Sequence, residues 1–207
     1  MELSPKSRTP LESPPWPDEP MALLETAAQI SEGVCGTPDD GPPGPLYRER
    51  ARVLEPPPEQ ILSDLDRILM GAEAGEGMAF LNRSGALEVL LPEVSALVDF
   101  HRSCPVHHKD LWAHTMEVLE RTPAVPDLRW AALLHDAGKV STRAMDGSGG
   151  VSFLRHEQVG ALLMRGVGAR LGMGADRVER VAFVIGHHGR LNAYETSWSD
   201  RAVRRLI

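Results

Sequence analysis

The sequence predicts an all-α protein, and three observations carry that prediction. From Glu59 onward apolar residues recur at helical spacing, strand signals are nearly absent, and thirteen of the 17 prolines lie at or before Pro58. Proline fixes φ and removes a backbone donor, so a stretch dense in it holds neither a helix interior nor a central strand.

Taken in chain order, residues 1–20 and 33–45 are read as disordered or linker-like, with a short amphipathic helix between them at Met21–Ile30. Residues 1–58 are thus expected to be a Pro-rich, largely disordered N-terminal tail or linker. In Glu59–Met70, Ile61, Leu62, Leu65, Ile68 and Leu69 share one helical face, and Gly71 marks a stop. Met78, Phe80 and Leu81 belong to a short helix ended by Gly85. Leu87–Phe100 follows, with Pro92 as a start or kink. Asp110 caps a helix to about Arg121. Asp127–Gly138 follows Pro126, His156–Leu171 is closed by Gly172, and Val178, Val181, Ala182 and Ile185 line a helix ending at Gly189.

With 207 residues, 42% hydrophobic and 25% charged, the chain fits a globular protein with a sizeable core. The formal net charge of −7 argues against a basic nucleic-acid clamp, though not against small anionic substrates met in a cleft. No apolar run reaches the roughly 18 residues that span a bilayer. The N-terminus lacks a secretory pattern, and Cys35 and Cys104 are too few for a disulfide framework. The expectation is a cytoplasmic protein with no membrane partner.

All eight histidines fall between His101 and His188. His114 lies on the apolar face of its helix, with Leu111 and Val118, where it is either a hydrogen-bonded core residue or a ligand. His135 and Asp136 follow the apolar run Trp130–Leu134. Adjacent helical residues diverge by about 100°, so both reach one metal only near a helix end. A buried carboxylate needs a partner, which for Asp136 is a histidine or a metal. His156 begins a helix; His187 and His188 end another. Asp200 is an N-cap or a ligand. Imidazole and carboxylate suit Mn, Fe, Ni, Co or Zn better than an all-oxygen Mg cage. The set can supply two divalent ions, with Asp136 between them.

This pattern resembles the HD superfamily, whose naming motif is matched by His135-Asp136-Ala137-Gly138-Lys139. The resemblance covers about residues 110–207 and implies an HD-type helical domain over 101–207. It also implies a first metal held by His114, His135, Asp136 and Asp200, and a second held by Asp136, His156 and His187, with His188 as a further ligand. A closer resemblance, to the C-terminal HD region of bacterial tRNA nucleotidyltransferases, rests on Asp110–Thr115, Arg129–Asp136, His156-Glu157 with Gly160-Ala161, and Trp198–Arg205. Glu59–Glu93 is similar to the helical segment preceding that region, so 59–100 is read as its linker-like counterpart. The nucleotide-adding head of that family, with its Gly-rich loop and paired acidic ligands, has no counterpart in residues 1–58.

The implied function is a metal-dependent phosphohydrolase, a phosphodiesterase or phosphatase, acting on nucleotides or RNA ends. One or two divalent ions (Mn, Fe, Ni, Co, Zn or Mg) would be its cofactors, and Asp136 and Lys139 its catalytic residues. Lys139 either pairs with a phosphate oxygen or answers a helix dipole. Arg143 and Arg155 flank the loop before His156, as solvated residues or substrate-phosphate contacts. Two further readings stay open: a non-catalytic RNA- or partner-binding module, and a fragment of a tRNA nucleotidyltransferase without its head.

Overall fold

A computed structural model describes residues 15–38, 40–98, 100, 110–145, 147 and 150–192. Apart from one small hairpin, the regular elements among these residues are helices. The first is α1 (Ala22–Ser31), followed by the short α2 (Gly44–Arg48) with proline in its first turn. Next come α3 (Pro58–Met70) and α4 (Ala74–Arg83). The sequence places one helix over 87–100; two short ones form instead, α5 (Ala86–Leu90) and α6 (Pro92–Ser95). Pro92 begins the second because its missing N–H costs nothing in a first turn.

The C-terminal half contains α7 (Leu111–Arg121), α8 (Pro126–Leu134), α9 (Lys139–Thr142), α10 (His156–Arg170) and α11 (Ala175–Asn192). Between α9 and α10, β1 (Ala144–Met145) pairs antiparallel with β2 (Val151–Ser152), too short a pair to leave a sequence signal. Helix α11 runs past Gly189, where the sequence suggests a stop. An interior glycine costs about 1 kcal/mol and does not by itself end a helix.

Helix α1 packs on α3 and α4; α8 packs on α3, α7 and α11; α10 lies along α11. One core joins them, from Leu23 and Leu24 through Leu65, Phe80 and Trp130 to Val181 and Ile185. Side chains from the described part of the proline-rich stretch add to this core. Leu46 and Val53 are buried, Trp16 stacks on Phe80 at 5.0 Å, and its Nε1 donates to the Asp40 carbonyl. Proline breaks helix interiors, but it does not prevent side chains between the breaks from burying apolar area. Residues 1–14 lie outside the described residues.

A polar seam fixes α3 to the site-bearing helices. Asp66 accepts from Trp130 Nε1 at 2.6 Å and takes both terminal guanidinium nitrogens of Arg177 at 2.7 Å. Asp127 accepts from Arg177 and Arg180. Bidentate geometry of this kind sets register as well as adding energy. Among the described residues, no helix is long and apolar enough to cross a membrane.

Candidate metal centre

Four chain segments bring histidines around one buried carboxylate. Helix α7 starts where Asp110 Oδ1 accepts from Ala113 N at 3.0 Å, and His114 lies one turn inside it. Helix α8 ends at Leu134 with His135 as its C-cap, still in right-handed helical backbone, and the chain turns through His135–Gly138. This turn sits directly on α10: a Cβ at Gly138 would collide with the His156 carbonyl, and one at Gly160 would press on Ile185. Glycine at 138 lets the turn after α8 sit against the start of α10, where His156 faces Asp136, and glycine at 160 lets α10 lie close to α11. Helix α11 contributes His188.

Asp136 is 1% exposed and its two oxygens face different partners. Oδ2 lies 2.7 Å from Lys139 Nζ, 3.4 Å from His135 Nε2 and 3.8 Å from His114 Nε2. Oδ1 lies 3.8 Å from both His156 Nε2 and His188 Nε2, and it is buried with no hydrogen-bond partner. Two groups of donors result, His114–His135–Asp136 and Asp136–His156–His188, each with its ligand atoms within 4.8 Å of one another.

The imidazoles are pre-set for this arrangement. The Nδ1 atoms of His135, His156 and His188 each lie 2.8 Å from a backbone carbonyl, of Ala132, Phe153 and Ile185 respectively. A carbonyl only accepts, so Nδ1 carries a proton and Nε2 is the ring atom turned toward Asp136 and open to a metal. His135 Nε2 and His114 Nε2 are 3.4 Å apart. Two ligands about 2.1 Å from a tetrahedral ion are separated by roughly 3.4 Å. An orphaned carboxylate oxygen, nitrogen–oxygen gaps too long for good hydrogen bonds, and fixed tautomers all fit divalent ions at these positions.

Electrostatics agree. Burial alone would raise the Asp136 carboxyl; His135 and then Lys139 outweigh it and hold the group well below the usual carboxylate range. Burial pushes His188 down, assisted by His135 and His156 and opposed by its bond to the Ile185 carbonyl and by Asp136. A neutral imidazole and an ionised carboxylate are the forms that bind metal.

Other expected site residues land as follows. His187, which the sequence reading puts ahead of His188 in the second group, belongs to neither group. Its Nδ1 donates to the Phe183 carbonyl and its ring stacks on Phe183 at 4.3 Å, in a groove with Arg165 and Glu179. Neighbouring positions on a helix point about 100° apart, so only one of the pair faces Asp136. Lys139 binds Asp136 and lies 5.7 Å from the Phe153 ring centre. Arg143 lies over Phe100 at 5.1 Å. Arg155 is exposed, immediately before His156. Asp200, with His101, His107 and His108, lies outside the described residues.

Sequence reasoning missed the carbonyls of Ala132, Phe153 and Ile185 as orienting groups, because a backbone acceptor leaves no residue-type signal. It also missed a cleft of about 320 Å³ lined by His114, His135 and His188. Val118, Thr122, Leu128, Ala131, Ala132, Val184 and Ile185 form its other walls.

Residues 111–204 match the HD domain family. The chain is 38% identical over 139 residues to a CC-adding tRNA nucleotidyltransferase of Thermus thermophilus, covering 64% of this chain and 32% of that protein. It is 34% identical over 163 residues to an A-adding tRNA nucleotidyltransferase of Deinococcus radiodurans, covering 75% and 36%. A multifunctional CCA protein of Halorhodospira halophila is 40% identical over 92 residues, covering 42% and 22%. In the first two of these matches the chain spans about a third of the relative's length.

Proposed function

We propose, from the premise that this chain carries an HD domain, that it is a metal-dependent phosphohydrolase acting on nucleotides or RNA ends. The observation that supports this most is the Asp136 carboxylate, buried between two pairs of histidines with Oδ1 unpartnered. In this reading His114, His135 and Asp136 hold one divalent ion and Asp136, His156 and His188 a second. Asp200 is a further ligand of the first.

Ions bound there would supply Lewis-acid charge to phosphoryl oxygens and bring the pKa of a water toward neutrality. The protein's own residues do the rest. Asp136 joins the two halves of the centre, and the three carbonyl-bound imidazoles keep their geometry without reorganisation. Lys139 is held by Asp136 at the edge of the centre, where a phosphate oxygen would compete for its ammonium group. The largely apolar cleft beside His114, His135 and His188 gives room for the organic part of an ester. RNA ends enter because the relatives are named for tRNA nucleotidyl transfer. The first substrates to try are 2′,3′-cyclic phosphates and 2′-nucleotides.

The same relatives favour a second reading, an HD module that binds tRNA without hydrolysing it. One assay separates the two: turnover of bis-p-nitrophenyl phosphate and 2′,3′-cyclic AMP with Mn, Ni, Co, Fe(II) or Mg added singly. Metal-dependent turnover that His135→Ala with Asp136→Ala abolishes supports the hydrolase. No turnover in a folded, metal-loaded chain favours the binding module.

A further inference from the structure

The helical face that carries each of His114, His135 and His188 continues into the cleft beside the metal centre. On α7 it runs from His114 through Val118 to Thr122. On α8 it runs back from the C-cap His135 through Ala131 to Leu128, and on α11 from His188 to Val184. Steps of three and four residues keep to one face of a helix. The cleft of about 320 Å³ is therefore a direct extension of the centre, with the three imidazoles as its end wall. Those rings pack edge to face, His135 lying 5.3 Å from His114 and 5.2 Å from His188 between ring centres. Thr122 stands two turns from His114, about 12 Å of helix rise, which gives room for a sugar and a base in line.

The walls offer little to a hydrogen-bonding ligand. Among the described residues no lysine, arginine, aspartate or glutamate lines the cleft. Its one hydroxyl, Thr122 Oγ1, donates to the Val118 carbonyl at 2.7 Å and has only acceptor capacity left. His135 and His188 give their Nδ1 hydrogens to backbone carbonyls and turn Nε2 toward Asp136. A phosphate finds no counter-charge beyond the histidine end, so an ester lies with its anion at the centre and an uncharged group down the cleft. Small side chains at Ala131 and Ala132 leave that volume open.

We infer that this cleft is the base seat of the centre: it takes one uncharged heteroaromatic ring of a nucleoside phosphate and ranks bases by apolar area against polar edges left unmet. Adenine ranks first. A purine buries more area than a pyrimidine, and guanine carries more donors and acceptors than these walls satisfy. For its phosphate end the inference rests on the hydrolase reading above.

The test measures binding of adenosine, guanosine, cytidine and ribose to the Mn(II)-loaded full chain by calorimetry, beside hydrolysis of 2′-AMP and 2′-CMP. Adenosine should bind about tenfold more tightly than guanosine or cytidine, and ribose should not bind detectably. Ala131→Leu fills the floor of the cleft and should weaken adenosine about tenfold. Leu128→Ala removes an exposed side wall and should weaken it severalfold, and metal content should stay unchanged in both variants. Without any variant, adenosine should shift the methyl resonances of Val118, Leu128 and Val184 in the wild type. Equal affinity for the three nucleosides, or binding that leaves those methyls unmoved, overturns the inference. Turnover of 2′-AMP and 2′-CMP at equal rates with no adenosine binding also overturns it, while leaving the hydrolase reading intact. Adenosine bound in the stated order, with no phosphoester turned over, removes the hydrolase reading and supports the base seat alone.

Discussion

The Lys139 ammonium group lies 2.7 Å from Asp136 Oδ2, the same oxygen that faces His114 and His135. With no ion bound, the lysine is the nearest full positive charge to a carboxylate that is almost wholly buried. Lys139→Met leaves that carboxylate short of its counter-charge. The metal-free protein should lose stability, on the order of 3 kcal/mol for breaking one side of a buried pair. Added Mn(II) should recover most of the loss, giving a larger metal-induced rise in melting temperature than in the wild type. An equal rise in both proteins contradicts the role given to Lys139.

Acid should weaken the metal-free fold in two steps of the same sign. His188 titrates lower folded than unfolded, so below about pH 6.5 the unfolded chain takes up a proton that the folded one refuses. Asp136 is likewise depressed, so its stabilising ionised form is present above the usual carboxylate pKa. That contribution is lost as pH falls below about 4. Chemical denaturation at a series of pH values should show stability declining through both windows. Stability that rises on acidification from neutral pH goes against this assignment.

Gly138→Ala places a Cβ against the His156 carbonyl, a backbone atom that cannot swing aside. The turn after α8 and the start of α10 must separate, at a cost of about 1–3 kcal/mol. The second ligand group should suffer more than the first, because the separation opens between Asp136 and His156, whereas His135 stays on the same turn as Asp136. Metal titration of the variant should show one site weakened and one preserved; two unchanged sites contradict the packing described.

The sequence is most legible where one residue type has one physical use. Helical spacing of Ile61, Leu65, Ile68 and Leu69 marks α3, and Asp110 marks the start of α7, because burial and capping leave clear patterns. Three of the four histidines that meet at Asp136, His114, His135 and His156, stand out by position alone. The choice between His187 and His188 does not, since it depends on the rotation of α11 about its own axis, set by Val181 and Ile185 packing into the core. The place of Trp16 on Phe80 is equally hidden, because proline-rich composition describes the backbone and not what its side chains bury. Likewise Gly138 reads as an ordinary motif glycine until the His156 carbonyl is seen against it.

The central claim is that Asp136 belongs to two ligand groups at once, and counting bound metal tests it most directly. Metal content would be measured after Mn(II) loading in the wild type, Asp136→Ala, the His114→Ala with His135→Ala pair, and the His156→Ala with His188→Ala pair. The account predicts about two ions per chain in the wild type, about one in each histidine pair variant, and almost none in Asp136→Ala. A folded Asp136→Ala protein that keeps the wild-type metal content would contradict it.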